Sequence, residues 1–157
     1  MALGTVFSRA AQVLVCACLF LAPTSARTAA PEHPALGAFI ATEFELIGRL
    51  ADLPVEVRKA LDIDAYPMAE SGGDWNPGCV VDGRPGRRFI FAGKSPHLWF
   101  VYFEKGGRSH YRAVVTLRRD QAGRLAKEGN WTFSLVVKTL QELKTAVQAS
   151  AQRRQHP

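Results

Sequence analysis

RRFIFAGKSPHLWFVYFEKGGRSHYRAVVTLRR, from Arg87 to Arg119, decides the fold. Three apolar, aromatic runs are separated by two compact turn signals, the pattern of consecutive antiparallel strands. The second break, Lys105-Gly106-Gly107-Arg108, reads as a two-residue Gly-Gly hairpin, because glycine takes positive φ without steric cost. That turn pairs Phe103 with His110, Val101 with Arg112 and Phe100 with Ala113. The earlier break pairs Phe91 with Leu98 and Phe89 with Phe100. Directly paired residues share a face and alternate residues oppose. One face then carries Phe89, Phe91, Leu98, Phe100, Tyr102, Tyr111, Ala113, Val115 and Leu117, the expected core side.

The second face is expected to hold Trp99, Val101 and Phe103 in a row, bordered by His97, His110 and Arg112. Contiguous apolar patches of that size are uncommon on a soluble monomer. Either a helix or loop covers the face, or it is a contact surface with an aromatic centre and a basic rim. In the expected register the Arg112 guanidinium lies diagonally near Trp99 and Phe103, within reach of a cation–π contact.

Upstream, the chain opens on a positively charged stretch with an apolar run, Ala10 to Ala22, that is too short to span a bilayer. Small residues follow, so residues 1–26 are expected to be a cleaved secretory signal; a second cleavage candidate ends at Ala30. Cys16 and Cys18 leave with it and Cys79 remains alone. A lone cysteine in an exported chain is a buried hydrophobe, a free thiol or one half of an intermolecular bond. The whole chain has 20 Lys and Arg against 14 Asp and Glu. Without Arg9 the exported part keeps nineteen basic and fourteen acidic residues, a net of +5. That balance attracts acidic partners, head groups or envelope polymers. Nucleic acid is not expected, since no binding motif is present and the basic residues are dispersed. Arg, Ala and Gly usage suits a GC-rich bacterial source, which makes the periplasm the expected compartment.

Residues 27–34 read as a flexible leader, 35–152 as a single α+β domain and 153–157 as a frayed tail. Leu36, Phe39, Ile40, Phe44, Ile47 and Leu50 form one helical stripe. Pro54 opens a second short helix, Val55 to Leu61. Ala65 to Gly78 is irregular, and within it Asp74-Trp75-Asn76 is the part able to touch a ligand, unless Trp75 folds back as an anchor. Val80-Val81 suggests a short edge strand. Asn130 to Val137 alternates as a fourth strand. Thr139 and Glu142 form a capping-box pattern ahead of a last helix reaching about Ala151. The expected architecture is therefore an N-terminal helix pair, a four-stranded antiparallel meander, and a C-terminal helix packed on one sheet face.

No nucleotide-binding glycine loop and no nucleophile elbow is present. His97 and His110 lie roughly 20 Å apart along the hairpin, too far to share a metal ion. No catalytic residue, metal site or cofactor is expected. The sequence predicts a non-catalytic protein-binding module, of inhibitor or immunity type, using Trp99, Val101, Phe103, His110 and Arg112, the residue types that dominate hot spots. Its partner would be another envelope or secreted protein, acidic in character, with homodimerisation through the sheet face or Cys79 as a further route. The alternative is a binder of small ligands or anionic envelope polymers through Asp74, Trp75 and Asn76. No transmembrane anchor is expected after cleavage.

Overall fold

The computed structural model describes residues 33–80 and 82–155. The expected signal segment, most of the leader and Val81 lie outside them. Three helices and six strands follow in the order α1 (Pro34–Ala41), β1 (Glu45–Ile47), α2 (Val55–Ala60), β2 (Met68–Ala69), β3 (Arg87–Lys94), β4 (Leu98–Lys105), β5 (Tyr111–Arg119), β6 (Leu125–Phe133) and α3 (Leu140–Gln155), with a 3-10 turn at Leu50–Asp52. The fold is α+β, with an antiparallel core. The sheet has six strands where four were expected: β3 to β6 run as an antiparallel meander, and β1 and β2 both flank the free edge of β3. β1 runs antiparallel to its last residues and β2 parallel to its first.

Both sheet faces are covered. α1 and α3 bury Phe39, Leu143 and Val147 against Phe100, Tyr102, Val114 and Trp131. α2 and the 3-10 turn bury Leu50, Val57 and Leu61 against Phe89, Trp99, Val101 and Phe103. The surface expected to bind a partner is thus interior: Trp99 is 8% exposed, Val101 0% and Phe103 7%. That is a correction, and the second apolar layer is its cause.

The register also differs from expectation. Gly106 to His110 form a five-residue loop, so Lys105 pairs with Tyr111 and Glu104 with Arg112. Relative to a two-residue turn, β5 slides by three residues. An odd shift exchanges its two faces. Ala113, Val115 and Leu117 therefore face α2, while Arg112, Val114 and Thr116 face α3. Between β3 and β4 the pairing slides by four at Phe91, which meets Tyr102, and by three at Phe89, which meets Phe103. The irregularity at Ile90 sends the two phenylalanines to opposite faces.

The first helix stops at Ala41, well short of Leu50. Thr42 Oγ1 donates to the Ala38 carbonyl at 2.7 Å, and Lys144 Nζ of α3 donates to the carbonyls of Ile40 and Thr42 at 2.8 Å each. These bonds consume the last carbonyls of α1 and tie its end to α3. Phe44 then packs edge-on to Phe100, and Ile47 enters β1. Glu70 closes the opposite layer by accepting from the Leu50 and Ala51 amides at 2.7 and 2.8 Å. At α3 the Thr139 hydroxyl accepts from the Glu142 amide as expected, while the Glu142 carboxylate reaches back to the Lys138 amide.

Candidate functional site

The sheet ends in two adjacent charged rungs. Arg88, Glu104 and Arg112 sit side by side on β3, β4 and β5, facing α3. The Glu104 side chain is 5% exposed. It accepts from Arg88 Nη2 at 2.5 Å and from Arg112 Nη2 at 2.6 Å, with His110 Nε2 at 4.0 Å. Arg112 Nη1 also donates to the Ser134 carbonyl at 2.8 Å. Trp75 lies under the Arg88 guanidinium at 4.9 Å and against the His110 ring at 5.4 Å. The one carboxylate and the two guanidinium groups largely satisfy one another here, so the rung is mainly structural, although it keeps one positive charge in excess and Arg112 Nε is buried without an acceptor. Beside it Tyr102 is fully buried. Its hydroxyl faces the Val137 backbone without closing a well-formed hydrogen bond, and burial pushes its pKa up to about 12.

The next rung, Arg87–Lys105–Tyr111, faces α2 and is built differently. Two cations stand directly opposite each other on neighbouring strands, an arrangement that repels. Among the described residues neither forms an ion pair. Arg87 donates only to backbone carbonyls, those of Leu61 at 3.2 Å, Asp62 at 3.3 Å and Tyr66, and its Nε is buried without an acceptor. Its guanidinium lies between the rings of Phe103 and Tyr66, at 5.8 and 5.9 Å. Desolvation lowers its pKa, which nearby Asp62 partly offsets. The Asp62 carboxylate is meanwhile within 3.4 Å of Lys127 Nζ. Lys105 Nζ rests 5.9 Å from the Tyr111 ring.

A cavity of about 450 Å³ opens on this rung, lined by three cations, Arg87, Lys105 and Lys127, against one carboxylate, Glu128, together with Tyr111 and the apolar Phe103 and Val115. Positive charge in excess, a phenol and apolar side chains suit an oxyanion attached to a less polar body.

The residues singled out in the sequence are divided by this geometry. His110 and Arg112 do meet, around Glu104. Trp75 joins them through Arg88, acting as the anchor rather than as a ligand platform. Asn76 spends its side chain on its own loop, donating to the Val80 carbonyl and accepting from the Gly78 amide at 2.8 Å. Asp74 pairs with Arg84 at 3.0 Å on the surface. The three therefore present no joint ligand surface. Cys79 is exposed, not buried. Arg87 and Lys105 were missed. The available signal was a charge at the end of each of two adjacent strands, and only the correct register makes those ends opposite.

The structure defines an α+β protein with a basic cleft at one end of its sheet. No protein-family model matches the chain, and no curated protein or solved structure matches it.

Proposed function

We propose that the protein is an exported, non-catalytic binding protein for small anionic ligands, seated on Arg87, Lys105 and Tyr111. The observation that carries the reading is the half-buried Arg87, which stands opposite Lys105 and forms no ion pair, the nearby Asp62 carboxylate reaching Lys127 instead. An arriving oxyanion would relieve their repulsion. Charge-assisted hydrogen bonds of this kind contribute about 1.5–3 kcal/mol each. Arg87→Gln should therefore weaken binding of acetate and inorganic phosphate about 10- to 100-fold, read from amide NMR shifts at residues 87, 105 and 111. Unchanged titrations in that variant would sink the reading.

A protein-binding role is favoured by another patch. Leu135 and Val136 are 62% and 65% exposed, beside α3 and close to Arg112. On this second reading the patch is the seat of a partner or of a second copy. Sedimentation should then show concentration-dependent association that Val136→Asp removes; a strict monomer at all concentrations would leave self-association without support.

A further inference from the structure

The Arg87–Lys105 rung has cavities on two flanks. The second, of about 490 Å³, shares both cations with the first but is walled by Tyr66, Pro67, Cys79 and Val80. Tyr66 is 67% exposed and Val80 77%, large apolar surfaces left open to water next to two cations that form no ion pair. The groove wall is held in place. Asn76 fixes the loop through Val80 and Gly78, and the loop is locked to the hairpin because Gly106 donates to the Gly86 carbonyl at 2.9 Å and Gly107 to that of Pro77 at 3.1 Å. Gly106 has no room for a side chain: a Cβ there would lie 2.3 Å from the Asn76 carbonyl oxygen.

An apolar groove continuous with a basic rung matches one ligand chemistry. Resting on the anion reading above and deepening it, we propose that the ligand is a single-chain amphiphile with an oxyanion head, a carboxylate or phosphate monoester, taken up as a monomer. The head sits on Arg87 and Lys105 with Tyr111 beside them. The chain lies along Tyr66, Pro67 and Val80. Charge complementarity fixes the direction, because apolar exposure is on one flank of the cations and the polar wall with Lys127 is on the other.

The test is a chain-length series, acetate to butyrate to octanoate, titrated into the purified protein at concentrations where octanoate does not aggregate. Affinity is expected to rise roughly two- to fourfold per buried methylene until the groove is filled. Arg87→Gln should weaken every member alike, whereas the uncharged Val80→Ser should flatten the series and spare acetate. Octyl glucoside, with the same chain and no charge, should bind at least about tenfold more weakly than octanoate. Octanoate should also slow alkylation of Cys79, followed on its peptide by mass spectrometry, while acetate should not. Octyl phosphate run beside octanoate identifies the head, and tighter binding of either supports the proposal. Equal affinity for acetate and octanoate, still dependent on Arg87, would overturn the amphiphile and leave the anion site standing. Absence of Arg87-dependent binding by any member would overturn both. Binding to anionic vesicles without uptake of octanoate would likewise overturn it, in favour of a surface-recognising protein.

Discussion

Glu104→Gln is expected to lower the unfolding free energy by about 3–5 kcal/mol, the range for removing one partner of a buried ion pair. The substitution keeps the size of the side chain and deletes its charge. Arg88 and Arg112 then face a neutral amide across the sheet, and Arg112, whose side chain is only 12% exposed, cannot turn to water. An amide oxygen still accepts one hydrogen bond, but its nitrogen brings donors toward two guanidinium groups that offer only donors. The check is a urea titration, in which the midpoint falls while the slope is unchanged. A loss below about 1 kcal/mol would mean that the rung is solvated after all. A second variant separates structure from function. Replacing Arg88, Glu104 and Arg112 together by apolar residues of similar volume should recover most of the loss, because an ion cluster of this kind carries its own desolvation cost. Anion binding on the opposite face should survive that replacement. Were it lost, the two rungs would be one site.

Much of this architecture is legible in the sequence, and its failures have identifiable causes. Strands β3, β4 and β5 stand out because Phe, Val, Tyr and Trp cluster between turn signals. α2 follows from Pro54, and the Thr139–Glu142 pattern places the start of α3. What the sequence conceals is loop length. Gly106-Gly107 looks like a hairpin turn, and only Gly107 uses the conformational freedom of glycine, at φ +118°. Gly106 is required instead because Asn76 and Pro77 press against it, a tertiary contact that no local pattern announces. Three more residues, Arg108, Ser109 and His110, then remain in the loop, and the odd shift in register moves every side chain of β5.

The same concealment produced the misplaced binding surface. Trp99, Val101 and Phe103 are indeed consecutive apolar positions on the sheet, but deciding whether they face water requires knowing where Val57 and Leu61 pack. The alternation Trp131, Phe133, Leu135 misleads in a similar way. The strand begins at Leu125, in a polar stretch with no strand pattern, and ends at Phe133, so Leu135 lies beyond it and in solvent. β6 forms from residues such as Lys127, Glu128 and Gly129 because β5 offers them a ladder, which is tertiary context overriding propensity. The candidate site depends on the same ladder. A cation at the end of one strand is unremarkable alone; opposite a second cation on a neighbouring strand it becomes a place for an anion.

Phe39→Ala is expected to cost about 3–5 kcal/mol, the range for emptying an aromatic position in a packed core. α1 has eight residues, too few to persist in water without tertiary support. Phe39 supplies that support. It is fully buried, with the rings of Phe100, Phe44 and Trp131 at 5.4, 5.7 and 6.1 Å. Removing it takes away an edge contact and a stacked contact together, and the surrounding rings belong to β4, β6 and the segment between α1 and β1, so the hole cannot close by moving one of them. Phe39→Leu keeps most of the volume and should cost less than about 1.5 kcal/mol. Denaturant unfolding of the two variants checks the difference, and similar losses from both would show that ring packing is not what holds α1. Because this aromatic cluster lies on the α3 face, the folded fraction of Phe39→Ala should bind acetate with unchanged affinity. An altered affinity would show that packing on one face of the sheet reaches the Arg87–Lys105 rung on the other.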